Sequence, residues 1–247
     1  MRQLFGLLLL TVICSVPIAD ASDIGEDMVE LDQAYIPVLV LMSEGRADLA
    51  IKAMRVARDR WASFKNKNYK LNTTDANWRK DLDLVDALIW EAQSIIEGGR
   101  QLALAHESLE RMNKIMMNLR RRNGIDHYFD RVTAFRDPLN AIVAAAQGKM
   151  PPGDAVSLIR TSFASAMQAW ELVLAADPGP GYRLTSRERD ALRAKLKLET
   201  AALEALGKAL AANDQSAIIA AAVATRPPFR GVYNSFGDFH GFIWEGF

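Results

Sequence analysis

The sequence predicts an all-α protein made of two tandem four-helix units, about eight helices in up-down bundles. Three observations predict it. From Asp23 onward, apolar residues recur at spacings of three and four, the period of a helix with one buried face, and no alternating strand pattern occurs. The stretches are separated by residues that start and stop helices. The order of landmarks also repeats. Each half opens a helix with an aromatic residue and a proline (Tyr35 and Pro37; Phe135 and Pro138) and turns at a glycine (Gly45; Gly148). Each then places a tryptophan in a second helix (Trp61; Trp170) and closes on a Gly-Xaa-Xaa-His segment (124–127; 237–240).

Residues 1–21 read as a secretory signal. Arg2 is the charged start, Leu4 to Val16 is almost unbroken apolar sequence, and Ala19-Asp20-Ala21 has the small-Xaa-small form of a cleavage site. The apolar run of about 13 residues is shorter than the roughly 20 that span a bilayer core. The mature chain is expected to start at Ser22 in the periplasm. A lipid on Cys14 is the competing expectation, but Ile13 is a poor match to the small residue such signals resemble. Cleavage removes the single cysteine, so no disulfide or thiolate metal site is expected. The 30 basic and 30 acidic residues balance, which leaves no basic stripe for nucleic acid. No second long apolar segment suggests a transmembrane helix.

The first unit is expected over 22–124. Its first helix carries Met28, Leu31, Tyr35, Val38, Leu39 and Met42. The second runs from about Ala47 to Phe64 with Trp61 on its apolar face. A polar loop follows, and Asp75 is expected to cap a third helix holding Trp78, Leu82, Val85 and Ile89. Gly98-Gly99 ends it. The fourth helix carries Leu109, Met112, Met116 and Leu119. It closes on Arg120-Arg121-Arg122-Asn123-Gly124, where cations suit the helix dipole and glycine suits a left-handed turn.

The second unit is expected over 125–247. Its first helix starts at Ile125 and reaches Ala146, with Pro138 kinking or restarting it. Pro151-Pro152-Gly153 is a stiff turn, and Asp154 is expected to cap a helix reaching about Ala176. After a Pro/Gly loop, Thr185 and Glu188 form a capping box for a helix ending near Ala212. Asn213-Asp214 turns the chain into an alanine-rich helix that meets Pro227-Pro228. The aromatic tail from Phe229 to Phe247 is expected to be irregular.

The mature start, Ser22-Asp23-Ile24-Gly25-Glu26-Asp27-Met28 with Leu31 following, is similar to the start of the cytochrome b562 family. The segment Ala50-Ile51-Lys52-Ala53-Met54-Arg55 resembles that family's second helix. The resemblance covers roughly the first 100 mature residues. It implies a periplasmic four-helix bundle with non-covalent haem, held by a methionine near the start of helix one and a histidine near the end of helix four. Met28 stands at the methionine position. The end of the fourth helix reads Asn118-Leu119-Arg120-Arg121, without a histidine, so no haem is expected.

Residues able to carry chemistry are few. His106 and Glu110 share a helix face, a spacing that supplies two metal ligands or a surface pair. Asp126, His127 and Asp130 form a polar cluster between the units: a divalent-cation site, or a helix cap by Asp126. A di-iron site is excluded because no Glu-Xaa-Xaa-His occurs. Met112, Met116 and Met117 offer thioethers for copper, but Met112 and Met116 lie on the face of Leu109 and Leu119, which fits core packing. The tail residues Phe236, Phe239, His240, Phe242 and Trp244 form either a contact surface or a cap folded onto the second unit. No nucleophile triad, phosphate loop or paired-carboxylate cleft is present. The expected function is non-enzymatic: a binding or accessory protein for an unknown protein or small ligand, using the groove between units and the aromatic tail. The alternative is a haem, copper or iron protein using Met28, His106 and His127.

Overall fold

A computed structural model describes residues 21–242 apart from 72, 100 and 179. The expected signal segment, Cys14 and Trp244 lie outside the described residues. Among the described residues the protein is all-helical, with nine α-helices and one short 3-10 turn. No described helix is long and apolar enough to cross a membrane.

The first unit consists of α1 (Ala21–Ser43), α2 (Ala47–Asn68), α3 (Trp78–Glu97) and α4 (Leu102–Arg122). Its helices pack as two hairpins, α1 on α2 and α3 on α4, with α2 against α3. Gly45 turns the chain between α1 and α2 with a φ of 69°, in the region that glycine adopts without a Cβ clash. The α3 boundary differs from the sequence expectation. Asp75 does not cap the helix; its carboxylate accepts the Asn77 N–H, and α3 begins at Trp78. The short polar side chain closes its own local turn before the helix begins.

The second unit contains α5 (Tyr128–Gln147), α6 (Pro152–Ala175), the 3-10 turn (Pro180–Tyr182), α7 (Ser186–Ala212), α8 (Gln215–Ala224) and α9 (Arg226–Asn234). The Thr185–Glu188 capping box opens α7. Asp214 caps α8 by accepting the Ala217 N–H. Neither Asp126 nor Asp154 acts as a cap. Asp126 pairs with Arg131 at 2.8 Å, and Pro151 stands at the N-cap of α6, with Pro152 opening the helix where its missing N–H is harmless. The expected irregular tail starts instead as α9. Pro227 and Pro228 fall in its first turn, where no intrahelical donor is needed.

Both tryptophans of the repeated plan are buried on the second helix of their unit. Trp61 on α2 donates its indole N–H to Asp86 on α3 at 2.7 Å, and Trp170 on α6 donates to Thr200 on α7 at 3.0 Å. Each indole thus ties its unit's second helix to its third. The buried apolar residues of the two units form one continuous cluster from Ile24 to Phe242.

The tail folds back over this core. Phe236 is wholly buried and packs on Tyr128, Phe129 and Tyr182, and Phe242 is also buried. The described rings therefore cap the bundle, and Phe236 and Phe242 present no free contact surface. Phe239 packs partly against the core, while His240 is exposed beside Asp238. One backbone bond fixes the crossing. Pro37 lies inside α1 and has no N–H for the Gln33 carbonyl one turn earlier. That freed carbonyl accepts the Asp238 N–H at 2.8 Å.

Candidate functional site

Two polar centres lie where the units meet, and they differ in character. The first is closed. Asp32 on α1 contacts the His127 Nε2 and accepts a 3.4 Å bond from the Tyr182 hydroxyl. Arg120, at the end of α4 and only 1% exposed, grips Asp130 at the start of α5 through two nitrogens. Arg120 also feels the charge of Asp32. Burial first, then Asp32, holds the Tyr182 hydroxyl far above the ordinary tyrosine range, so it remains a donor. Every charged group here has a partner, and the cluster joins α1, α4, α5 and the 3-10 turn.

Its local geometry follows from the chain. Gly124 takes a φ of 65°, and the Ile125 N–H returns to the Arg120 carbonyl at 2.9 Å. This left-handed helix end turns the backbone sharply. It sets His127 beside Asp32 and Asp130 beside Arg120.

The second centre is open. A cleft of about 350 Å³ lies between α1, α4, α5 and α9. Leu39 and Val40 of α1, Leu139 and Val143 of α5, and Phe229 of α9 supply its apolar wall. At its base Arg136 of α5 makes a two-pronged ion pair with Glu110 of α4, and its Nη1 stands 3.4 Å from the Tyr233 hydroxyl. Burial alone would weaken the Arg136 charge, but Tyr233, Glu110 and Tyr35 outweigh it and keep the guanidinium firmly protonated. Burial, more than the opposing Arg136 charge, holds the Tyr233 hydroxyl well above its ordinary range. His106 stands 4.0 Å from Glu110 at the cleft edge. Its pKa is lowered, first by burial and further by Arg136, against the pull of Glu110.

Three features mark the cleft as more than a packing fault. The Asn234 side chain is buried, yet neither its amide nitrogen nor its oxygen has a hydrogen-bond partner among the described residues. The Nε of Arg136 is likewise buried and unpartnered. Lys114 and Arg226 line the rim, are exposed, and make no ion pair among the described residues. Arg230, beside them, is paired with Glu44.

The expected metal residues are separated by these arrangements. Glu110 is held by Arg136, Asp130 by Arg120, Asp126 by Arg131, and His127 by Asp32. Among the described residues no group of three His, Cys, Asp or Glu gathers to hold a metal ion. Arginines occupy the carboxylates that a cation would need. Met112 and Met116 are buried in the core. The residues also fail to fit a haem. Met28 is fully buried, Leu119 lies in the core, Arg120 is spent on Asp130, and the His127 Nε2 faces Asp32.

Sequence reasoning found His106, Glu110, His127 and Asp130 but missed Asp32, Arg136, Arg226, Tyr233 and Asn234. A signal existed for two of them. Asp32 lies one turn from Met28, and Arg136 follows Phe135 and precedes Leu139, so both are charges set at core-facing helical positions. Comparison with family models, curated proteins and solved structures finds no match to the chain.

Proposed function

We propose that the protein is a non-enzymatic binding protein of the periplasm and that it holds a small ligand in the cleft between α1, α4, α5 and α9. One observation carries the reading: a cleft of about 350 Å³ at the junction of the units, lined by Asn234, whose buried amide has no partner among the described residues. Small-molecule sites are concave, mostly apolar, and carry a few polar groups that fix orientation. A buried amide without partners costs roughly 1–3 kcal/mol, which a ligand supplying its hydrogen bonds would offset. Each wall comes from an already packed helix, so the cleft is largely preformed. The paired arginines and carboxylates at its base are spent on one another, which supports binding over acid–base or nucleophilic chemistry. The resemblance of residues 1–21 to a secretory signal supports the compartment.

The test is purification of the secreted chain and native mass spectrometry. A start at Ser22 is expected, with a small molecule bound one to one. Asn140, exposed on the cleft wall, offers a blocking variant: Asn140→Trp should empty the site while leaving the fold intact. Equal ligand occupancy in Asn140→Trp would reject the cleft. A Soret band, or copper or iron at one equivalent, would reject the metal-free reading.

A further inference from the structure

Resting on that reading, we infer that the cleft takes a small amphipathic anion, with an apolar body against α1, α5 and Phe229 and an acidic head at the rim between Lys114 and Arg226. The charge around the cleft is uneven. Glu110 is fully engaged by Arg136, which also stands 3.6 Å from Asp137. Arg136 answers Glu110 and leaves Asp137 as a half-exposed carboxylate at the wall, so with Lys114 and Arg226 the cleft keeps a single net positive charge. Arg230 is balanced by Glu44. Lys114 on α4 and Arg226 at the start of α9 remain, approaching the rim from different helices without a carboxylate partner among the described residues. A neutral or cationic ligand would leave these charges unused. An anionic head would satisfy both.

The cleft also excludes a bare inorganic ion as its sole occupant. Leu39, Leu139, Val143 and Phe229 form an apolar wall that such an ion would leave wet. The volume of about 350 Å³ lies near the lower end of the range for small-molecule sites. A short apolar chain or ring carrying one acidic group matches both surfaces. The Asn234 amide can accept a hydrogen bond through its oxygen and donate through its nitrogen, so it suits a head group with mixed acceptor and donor atoms. Carboxylate and phosphate monoester heads share this chemistry, and the experiment separates them.

Calorimetric titration of the secreted chain with octanoate, octyl phosphate, octanol, octylammonium and inorganic phosphate tests the inference. Octanoate or octyl phosphate should bind one to one, and the tighter of them identifies the head. Octanol, octylammonium and inorganic phosphate should each bind at least about tenfold more weakly, the scale of a lost charge-assisted hydrogen bond. Arg226→Gln with Lys114→Gln should weaken the anion about tenfold or more and leave octanol unchanged. Both positions are exposed, so the variant should fold. Asn234→Leu should keep or raise stability and still lower anion affinity. Octanol or octylammonium binding as tightly as the anions, or anion affinity unaffected by the double variant, would overturn the inference. So would failure of every probe to bind. None of these outcomes touches the cleft itself, which falls only if Asn140→Trp retains the molecule that co-purifies with the native chain.

Discussion

Glu199 shows how a single buried charge writes itself into the behaviour of this protein. It sits on α7 between Leu192 and Leu203, is fully buried, and neither carboxylate oxygen has a hydrogen-bond partner among the described residues. Burial raises its pKa from 4.5 to about 8, with the nearby Phe229 N–H opposing slightly. That N–H is already donated to the Thr225 carbonyl at 3.3 Å, so it cannot fully serve the carboxylate. The folded state therefore holds a proton on Glu199 that the unfolded chain releases near pH 4.5. Its contribution to stability is fully present below pH 4.5 and is lost as pH rises through about 8. The loss is on the order of a few kcal/mol. Urea denaturation from pH 5 to 9 should show stability falling, and Glu199→Gln should flatten the curve. Parallel curves for the two proteins would place the pH dependence elsewhere. Arg120 gives the opposite case, a buried charge that is paired. Asp130→Ala removes its two-pronged partner, leaving only the charge of Asp32 nearby, and should cost about 3–5 kcal/mol. Asp190→Ala, which breaks an exposed pair with Arg193, should cost less than about 1 kcal/mol. Similar midpoints for the two variants in urea would show that the Arg120 pair is not tightly closed.

At the scale of elements, the most informative piece is the tail crossing α1. Pro37 releases the Gln33 carbonyl, and the Asp238 N–H takes it. Gly237, the preceding residue, leaves no room for a side chain: a Cβ there would stand 2.8 Å from both the Ile36 Cγ2 and the Phe239 Cε2. Gly237→Ala should therefore lift the tail and destabilise the fold by about 1–3 kcal/mol, the usual cost of overpacking. Amide exchange at Asp238 should quicken in the variant; unchanged exchange would show that the segment gives way without undocking. The sequence reveals such features unevenly. Helix order, the Thr185–Glu188 box, the Gly124 turn and the tryptophan landmarks are local patterns, and the structure holds each. The bond from Asp238 to Gln33 links distant segments, so Pro37 alone does not announce its partner. The expected irregular tail is partly α9 because Pro227-Pro228 is compatible with a helix start as well as a helix end. The same ambiguity hid the cleft. Arg226, Tyr233 and Asn234 belong to α9, and only the packed molecule brings them opposite His106, Glu110 and Arg136.

At the scale of the whole molecule, the continuous core predicts that the two units unfold as one body. Tandem units with a polar seam would unfold separately, but this seam is mixed. The apolar cluster runs without a break from Ile24 through Phe236 to Phe242, and the Asp32–His127 and Arg120–Asp130 pairs sit within it, nearly all out of water. Cutting the chain at Gly124 would strip His127, Asp130, Tyr182 and Phe236 from the first unit and expose the apolar residues they cover. Each large apolar side chain uncovered costs about 1.5–3 kcal/mol, a large share of the 5–15 kcal/mol that stabilises a typical domain. Guanidinium unfolding of the intact chain should therefore give one transition, with far-ultraviolet circular dichroism and tryptophan fluorescence coincident. Replacing Trp61, Trp78 and Trp90 together by Phe leaves only the second unit's indoles as reporters, and replacing Trp170 and Trp244 leaves only the first unit's. Both variants should report the same midpoint by fluorescence as by dichroism. Two separated midpoints, one for each unit's set of indoles, would show units that fold independently and a cleft whose walls can move apart.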